Sequence, residues 1–477
     1  MTGLRVVDVV AEQLDAVWEV RGRSFGPGGD REEWQKNARP FIEDGRFLGV
    51  VDGDQLVAAA RIWPFEQWWH GRRVPMGGVA GVVVAPEYRG RGVGSLLMRG
   101  VLDRCADKGY PLTALYPATT VLYRHLGYEF AGNRYKYTFE AADLRTLGGK
   151  NVPVRKATKA DAQLLMDLAG QSHQARRSSG PLIWPLSEIE SWLDDADNFA
   201  YVADDGFVVY NWSDGNLAVD ELIAGSEETA RALWATVGSG ASIAKSVHAY
   251  CAPFDPIHLT AEHEAEADTR INRWMLRLVD APAAIAGRGF PAGVSAEINL
   301  RIDDPELPKN TGDWRLSVAD GAGRLTPAES SASTARLTPA ELSANTARLT
   351  PAESPANTAR PTPGDPSGDP IRLGPRGLAA LYASTPMATL RSAGLATGGA
   401  SALESGTAAR GAGAVGASSA PGEAAVAGGA GDAAVHAGGP QAAAIAGGAG
   451  AVVQAGGVDA VLDGVFGGAE PYVLDYF

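Results

Sequence analysis

Strand-like and helix-like hydrophobic patterns alternate along the first third of the chain. In the helix-like segments apolar residues recur every three or four positions, at 14–25, 93–108 and 120–126. Short β-branched and apolar runs separate them, at 4–7, 47–52, 55–61, 74–85, 112–115 and 135–139. Gly53-Asp54, between two of these runs, predicts a tight hairpin turn. The order predicts an α/β (α+β) fold over residues 1–147, with helices flanking a mixed sheet.

A second unit is predicted over residues 148–275, because the chain repeats its opening pattern from Val152. VPVRKATKADAQLLMDLAGQSH has the strand and amphipathic helix pattern of LRVVDVVAEQLDAVWEVRGRSF, near the N-terminus. Strand-like FVVYNW and LAVDELIA follow, before a helix-like segment at 227–236. The repetition favours a duplicated unit over chance similarity between two strand–helix openings.

Residues 276–477 are predicted to form a third domain that carries two low-complexity insertions. MLRLVDAPAAI, SAEINLRIDDP and GDWRLSVADG have the composition of strands joined by turns, and helical spacing returns at 373–395 and 458–466. Within 324–370 the motif RLTPAE recurs every twelve residues, and 398–457 is rich in Gly and Ala. We expect both segments to be insertions, because they contain too little apolar surface for a core.

Length, charge and cysteine content narrow the class of protein. At 477 residues the chain is long enough for about three domains. The 42 Lys and Arg residues against 56 Asp and Glu residues give a net charge of −14, which argues against nucleic acid as a partner. Two cysteines without metal-type spacing argue against a disulfide framework and a cysteine-based zinc site, and we expect no metal.

The N-terminal segment and the apolar runs indicate where the protein is located. MTGLRVVDVVAEQLD lacks a basic region followed by an apolar stretch, which argues against a signal peptide. No uninterrupted apolar run reaches the roughly 20 residues needed to cross a membrane. We therefore expect a cytoplasmic protein without a membrane span.

The segment with the clearest chemistry is a strand, a loop of glycine and arginine, and an amphipathic helix. The strand ends at Val82-Val83-Val84. The loop and helix start contain Arg89, Gly90, Arg91, Gly92 and Gly94. Glycines let a ligand approach the backbone, while N–H groups at a helix start and two arginines attract an anion. The pattern fits a diphosphate group, and the alternative is a tight turn that only caps the helix.

Three motifs in this order resemble the acetyl-CoA-binding core of the GNAT superfamily of N-acetyltransferases. They are the V-x-V strand end, the R-x-x-G-x-G loop, and Leu-Tyr-Arg-His-Leu-Gly-Tyr at 122–128. The resemblance implies acetyl-CoA as co-substrate, a strand splayed from its neighbour, pantetheine contacts from that strand and pyrophosphate contacts from the loop. The cofactor-binding residues that it implies are Val82, Val84, Arg89, Gly90, Arg91, Gly92, Gly94 and Thr119.

The chain as a whole resembles the Eis ("enhanced intracellular survival") family of actinobacteria. The shared features are two tandem acetyltransferase-like units, the second without its glycine loop, a β-rich third domain and the aromatic ending PYVLDYF. This resemblance implies a sterol-carrier-like third domain and a homo-oligomer, a hexamer. It also implies that the acceptors are small-molecule primary amines of the aminoglycoside type, or protein lysines.

The resemblance assigns Tyr123 as the acid and the terminal carboxylate of Phe477 as the base of a direct transfer. The amine must lose a proton to attack the thioester, and the departing thiolate must gain one, so each group contributes about 10²–10⁴-fold. An α-carboxylate with an ordinary pKa of about 3.5 is ionised at neutral pH. Without the resemblance, Tyr123 is more often a packing residue and Phe477 a terminal anchor.

Aromatic and acidic residues near the first helix–loop–helix are candidates for acceptor binding. Phe25 and Trp34 lie where the superfamily has its acceptor site. Acidic residues available there or near the tail are Asp30, Glu32, Glu33 and Asp475. They form either an acidic entrance for polycations or a solvated helix face. The tryptophans at 63, 68 and 69 either line a pocket or pack a domain interface.

Two functions from other classes remain open. The third domain allows a carrier of lipids or other hydrophobic ligands with vestigial acetyltransferase units, although the intact R-x-x-G-x-G motif and Tyr123 argue against it. The other is a scaffold that uses the Pro- and Ala-rich repeat as a tether.

Overall fold

The computed structural model describes residues 3–149, 151–263, 265–267, 271–328, 369–399 and 457–475. In these residues, helices pack against three mixed or antiparallel sheets. The predicted α/β (α+β) class is confirmed. None of the helices in these ranges is both long and apolar enough to cross a membrane.

The predicted elements of the first third form close to their expected positions. In chain order the strands are β1 (Leu4–Asp8), β2 (Phe47–Asp52), β3 (Gln55–Trp69), β4 (Arg72–Val84), β5 (Leu112–Leu115), β6 (Glu129–Arg134), β7 (Lys136–Glu140), β8 (Arg155–Lys156), β9 (Leu182–Ile183), β10 (Asn198–Ala203), β11 (Gly206–Ser213), β12 (Asn216–Ala224), β13 (Ser246–Tyr250), β14 (Glu266–Ala267), β15 (Asn272–Leu278), β16 (Ala296–Ile302), β17 (Gly312–Ala319), β18 (Ala322–Pro327), β19 (Ile371–Leu373) and β20 (Ala396–Thr397). The α-helices are α1 (Leu14–Phe25), α2 (Arg31–Glu43), α3 (Val93–Asp107), α4 (Thr120–His125), α5 (Ala141–Thr146), α6 (Ala162–Arg176), α7 (Leu186–Asp194), α8 (Glu227–Gly238), α9 (Ile257–Thr260), α10 (Ala281–Gly287), α11 (Pro375–Tyr382), α12 (Met387–Ser392) and α13 (Val458–Phe466).

The first sheet has the order β1-β2-β3-β4-β5-β15-β6, and β9 pairs with the far end of β3. β4 and β5 are parallel, whereas β15 is antiparallel to both of its neighbours. Helix α3 packs on this sheet because its apolar residues recur at helical spacing. They form one buried stripe, Val93, Leu97, Val101 and Cys105. Burial of each large apolar side chain stabilises the packing by about 1.5–3 kcal/mol.

The first and second sheets exchange strands. The second sheet has the order β14-β7-β13-β12-β11-β10-β8, so β7 leaves the first sheet directly after β6 and pairs with β13. β15, which follows the second sheet in the chain, returns to lie between β5 and β6. Each sheet therefore contains a strand from beyond its own stretch of sequence. The predicted domain bounds at 147 and 275 stay a prediction.

The third sheet has the order β18-β17-β16-β19-β20, with α10 to α13 packed near it. One predicted strand segment is wrong, because residues 281–287 form helix α10. The Asp280 side chain accepts a hydrogen bond from Ala283 N–H, and Pro282 lies in the first turn, where proline favours a helix. Residues 324–327 of the predicted insertion belong to β18. The repeat from 329 to 368 and residues 400–456 of the Gly- and Ala-rich segment lie outside the described residues.

Side chains fill the interior between this sheet and its helices. Arg288 is buried there, with its guanidinium carbon 4.9 Å from the ring centre of Phe466, 5.0 Å from that of Tyr382 and 5.4 Å from that of Phe290. Its Nη2 donates to the Phe466 carbonyl at 3.1 Å. The carrier alternative gains no support from such a packed interior.

A buried ion pair joins the first sheet to the third domain. Arg277 on β15 donates to the Leu126 carbonyl at 2.9 Å and to the Asp304 carboxylate at 2.6 Å. The carboxylate also accepts hydrogen bonds from Leu307 N–H and from Asn310 Nδ2. The two charged side chains are 0% and 1% exposed. Because the pair is fully hydrogen-bonded, it fixes the end of α4 against both elements.

The tail that follows α13 crosses the first two units. Tyr472 N–H donates to the Ser179 carbonyl and Val473 N–H to the Asn133 carbonyl, both at 3.1 Å. Gly180 makes this crossing possible, because a Cβ added there would overlap the carbonyl oxygen of Tyr472. The tail thus packs on the backbone of both units.

Replacing Asp304 by alanine tests the buried ion pair. Asp304→Ala leaves Arg277 charged and buried without its carboxylate, so we expect the free energy of unfolding to fall by about 3–5 kcal/mol in a denaturant titration. Asp303→Ala is the control, at an exposed neighbouring position, with an expected change below about 0.5 kcal/mol. Equal effects of the two substitutions would contradict the assignment.

Gly180→Ala tests how tightly the tail is held. The added methyl collides with Tyr472, so we expect faster hydrogen exchange at 467–475 than in the wild type, measured by mass spectrometry. Gly148→Ala is the matched control. Its φ of 99° is close to the 106° of Gly180, but open space surrounds the added Cβ. A tail equally protected in both variants would show that this contact does not hold it.

Candidate active site

β4 and β5 separate from each other midway along β4. Their parallel pairing covers only residues 76–78 against 112–114. β4 runs on to Val84, and within the described residues no strand pairs with its last part on the β5 side. On the other side β4 remains paired with β3, up to Val84 opposite Ala58. A wedge-shaped gap, called the β4–β5 opening below, results.

The backbone of Val84 faces the β4–β5 opening. Ala85 N–H donates to a carbonyl of β3 at 2.8 Å, so the backbone groups of the preceding residue point to the other side of the strand. The Val84 carbonyl accepts from Ser24 Oγ at 3.3 Å and from Arg89 Nε at 3.2 Å. Val82 is half-buried in the same stretch. Protein donors therefore occupy the Val84 carbonyl on the face that a ligand would meet.

The glycine loop leads from this opening to helix α3. Gly90 and Gly92 have φ angles of 73° and 79°, in the left-handed region that favours glycine, and a Cβ added at either meets nothing within 4 Å. Gly92 is the N-cap of α3, whose first N–H groups have no acceptor inside the helix. A Cβ added at Gly94 would lie 3.3 Å from Leu122. The loop offers an anion open space, N–H donors and the positive end of the helix dipole.

Both predicted arginines of the loop are exposed. Arg89 turns back toward Val84, while the guanidinium carbon of Arg91 lies 5.5 Å from the ring centre of Tyr88. The Tyr88 hydroxyl donates to the Asp52 carboxylate at 3.1 Å, which orients the ring. The two guanidinium groups thus add positive charge at the entrance of the loop.

Tyr123 on α4 is buried in the cluster beside the β4–β5 opening. The side chain is 5% exposed and belongs to the same hydrophobic cluster as Val82 and Val84. Its ring meets that of Tyr128 edge-on, with the centres 5.9 Å apart. Burial raises the pKa of the Tyr123 hydroxyl to about 12. The hydroxyl is therefore protonated at neutral pH and can donate a proton.

The other predicted contacts lie around the opening without sharing one environment. Thr119 is the exposed N-cap residue of α4 and makes no side-chain capping bond. Phe25, at the end of α1, is 58% exposed. Trp34 packs against Trp18 at 5.3 Å and Phe47 at 6.4 Å between ring centres. Trp34 is thus part of an aromatic group, whereas Phe25 lies in solvent.

The acidic residues at the start of α2 have structural contacts. Asp30 caps the helix by accepting a hydrogen bond from Glu33 N–H at 2.8 Å. Asp15 on α1 pairs with Arg31 and accepts from Gln35. These contacts favour the helix-face interpretation of the carboxylates. No group of His, Cys, Asp and Glu in the described part of the chain is arranged to hold a metal ion.

The tail brings the last described residues to the end of β5. Tyr116, just beyond β5, donates through its hydroxyl to the Asp475 carbonyl at 2.8 Å, and Arg134 Nε donates to the Leu474 carbonyl at 2.7 Å. These bonds hold the tail where β5 diverges from β4. The predicted base, Phe477, lies outside the described residues.

The Asp475 side chain is a buried carboxyl group in this region. Burial raises its pKa to about 7, and the neighbouring Glu221 adds to the rise, while hydrogen bonding from Trp184 and the charge of Arg134 lower it. Burial also raises the pKa of Asp220 to about 6. The carboxyl group of Asp475 therefore exchanges its proton near neutral pH.

A large cavity adjoins the tail between the two acetyltransferase-like units. Its volume is about 1260 Å³. Its walls come from the β3–β4 hairpin, α6, α7, β11, β12 and the tail. The acidic residues that line it are Glu66, Asp167, Glu188, Asp195, Asp220, Glu221 and Asp475. Excess negative charge makes it suited to a cationic group.

Sequence reasoning missed several residues of this region. Trp184 and Arg134 stand in no motif, and they reach the tail only because β9 and β6 belong to the first sheet. Tyr116 had a detectable signal, since residues that follow a parallel strand often face a functional site. Trp63 stacks on Phe65 with the centres 5.7 Å apart, so it contributes to an aromatic wall.

Comparison with known families agrees with this geometry. Residues 6–131 and 181–278 match two families that are both described as acetyltransferase (GNAT) domains. Residues 281–352 match the sterol carrier protein domain. The second and third predicted units therefore have the same domain types in these families as the resemblance implied.

Individual relatives span most of the chain. The N-acetyltransferase Eis of Mycobacterium tuberculosis is 27% identical over 304 residues, which cover 60% of this chain and 74% of that protein. The structure of Eis1 from Mycobacterium abscessus, 19% identical with a TM-score of 0.62, covers 99% of this chain and 100% of that chain and shows the same fold. A GCN5-related N-acetyltransferase from Kribbella flavida is 53% identical with a TM-score of 0.79, over 99% of this chain and 98% of that chain. On this likeness, the chain belongs to the GCN5-related N-acetyltransferases and is an enzyme of the Eis-like type.

Proposed function

We propose that this protein transfers an acetyl group from acetyl-CoA directly to a primary amine. One observation carries the proposal: the β4–β5 opening has the glycine loop at one end and Tyr123 in the cluster that lines it. An anion site, a free strand edge and a buried proton donor thus lie along one path.

The residues of the loop fit the diphosphate of acetyl-CoA. Gly90 and Gly92 leave open space, and the first turn of α3 supplies N–H donors. Arg89 and Arg91 neutralise charge, and Gly94 allows α3 to pack against α4. These groups hold the nucleotide end of the co-substrate.

The free edge of β4 fits the pantetheine arm. We assign amide contacts to the backbone of Val82 and Val84, and the N–H of Val84 to the acetyl carbonyl, which it polarises. The Val84 carbonyl already accepts hydrogen bonds from Ser24 and Arg89, so its N–H carries the contact. Thr119 completes the set at the start of α4.

Tyr123 supplies the proton for the departing thiolate. A buried, protonated phenol beside the thioester gives up its proton as negative charge develops on sulfur. After the transfer, the hydroxyl regains a proton from the amine through solvent. The transfer needs no covalent intermediate, because the amine attacks the thioester directly.

The tail supplies the base. Asp475 is bonded to Tyr116 at the end of β5, and two further residues of extended chain span about 7 Å. A terminal carboxylate at Phe477 reaches the amine from this anchor and accepts its proton directly or through water. Removing either the acid or the base lowers the rate by about 10²–10⁴-fold.

Acceptor amines reach the opening from the side of the tail and α2. The acidic lining of the cavity attracts a protonated amine, and Phe25 and Trp34 are the proposed acceptor contacts. Aminoglycoside-type polyamines and protein lysines remain the predicted acceptors, and the hexamer and the cytoplasmic location also remain predictions.

Tyr123→Phe tests the acid. We expect kcat to fall about 100-fold while the Kd for acetyl-CoA stays within twofold, because only the hydroxyl is lost. Since the pKa is raised to about 12, the wild type keeps this proton, and we expect no loss of rate from this group between pH 6 and about 9. Tyr128→Phe is the matched control, with a hydroxyl 3.4 Å from Thr113 Oγ1 and an unchanged rate. Equal rates for Tyr123→Phe and the wild type would remove Tyr123 from the mechanism.

Adding one glycine after Phe477 tests the base. The extension moves the carboxylate, so we expect kcat to fall by about 10²-fold without loss of acetyl-CoA binding. The same glycine placed at the N-terminus serves as control. Full activity of the C-terminally extended protein would exclude the terminal carboxylate as base.

A further inference from the structure

Arg61 is a buried cation on the acceptor side of β3. It lies opposite Ala80 of β4 and points toward helices α1 and α2. Its guanidinium carbon is 5.9 Å from the ring centre of Trp34 and 5.3 Å from that of Phe41. Aromatic faces stabilise a guanidinium but leave its N–H groups without acceptors.

Within the described part of the chain, Arg61 forms neither a hydrogen bond nor an ion pair. Burial lowers its pKa to about 10, and the nearby guanidinium of Arg21 lowers it further. Arginines that lose this much water are normally paired with a carboxylate or phosphate. The charges that surround Arg61 therefore favour an anion from outside the chain.

Nearby carboxylates on α1 and α2 already have other partners. Asp30 caps α2, Asp15 pairs with Arg31, and Glu19 lies 3.6 Å from Arg23. None of them contacts Arg61. The protein keeps acidic groups close by and leaves this arginine free.

Arg61 lies beside the reacting strand. A Cβ added at Gly81 would lie 3.8 Å from Arg61 Nε and 4.0 Å from Nη2. Gly81 is followed directly by Val82 and sits at the irregularity where β4 loses its regular register with β3. With glycine at this position, a small ligand group can touch Arg61 and the free edge of β4 together.

We propose that the acceptor carries a carboxylate close to its amine and that Arg61 binds this carboxylate. This inference rests on the proposed function and names its substrate class. The planar guanidinium matches a carboxylate with two parallel hydrogen bonds, and Trp34, Phe41 and Trp63 enclose an apolar side chain. The carboxylate end lies at Arg61 and the amine faces the β4–β5 opening. The acceptor is therefore of the amino-acid class rather than a polycation.

Matched pairs of acceptors test the inference. Turnover with acetyl-CoA is measured for phenylalanine against 2-phenylethylamine, leucine against 3-methylbutylamine, and lysine against 1,5-diaminopentane. In the wild type we expect kcat/KM to be higher for the carboxylate-bearing member of at least one pair. Arg61→Leu lowers the ratio of the two kcat/KM values about 100-fold, the loss expected when a charge-assisted pair is removed. Arg61→Lys keeps part of the ratio, because it keeps the charge but not the fork.

Arg39→Leu is the control variant, since Arg39 is exposed on α2, and it leaves the ratio unchanged. A thermal shift with the N-acetylated amino acid, present in the wild type and lost in Arg61→Leu, gives a second readout without turnover. A ratio that Arg61→Leu leaves unchanged, even with lower rates on both members, overturns the inference, because Arg61 then serves the reaction and not the carboxylate. A wild type that prefers the decarboxylated amines, or acetylates no member of any pair while still binding acetyl-CoA, overturns it too. Loss of acetyl-CoA binding in the wild type instead overturns the proposed function.

Discussion

The separation of β4 from β5 is the constraint on which the site depends. Three residue pairs hold the two strands together, and beyond them β4 is supported only by β3. Because an unpaired strand edge in the interior must find hydrogen-bond partners, this stretch is suited to an extended ligand. The glycine loop, α3 and Tyr123 are placed by the same divergence. Their chemistry follows from where the two strands part.

Elements from all three domains support the edges of this opening. Arg277 ties the end of α4 to the third domain, and the tail returns from α13 to the end of β5. The acid and the proposed base thus depend on contacts outside the first unit. This arrangement gives the packed third domain a role in positioning groups, for which it needs no ligand of its own.

The sequence was informative where the signal is local. The loop glycines, the stripe of α3 and the short strand at 112–115 follow from periodicity and from the need for left-handed φ angles, and the structure has them in place. The domain types were recognised from motif order. Helix α10 was missed because its short apolar run also fits a strand, and only the Asp280 cap distinguishes the two.

Long-range contacts could not be predicted in the same way. No pattern near Arg134, Trp184 or Arg61 reveals that these side chains meet the tail or the reacting strand, because each contact depends on pairing between distant segments. The exchange of β7 and β15 has a further consequence for biogenesis. The first sheet lacks an interior strand until residues 272–278 have left the ribosome, so the N-terminal unit cannot complete its fold while the second is being made. The two units must mature together, and the first cannot be separated from the second as an independently folding enzyme.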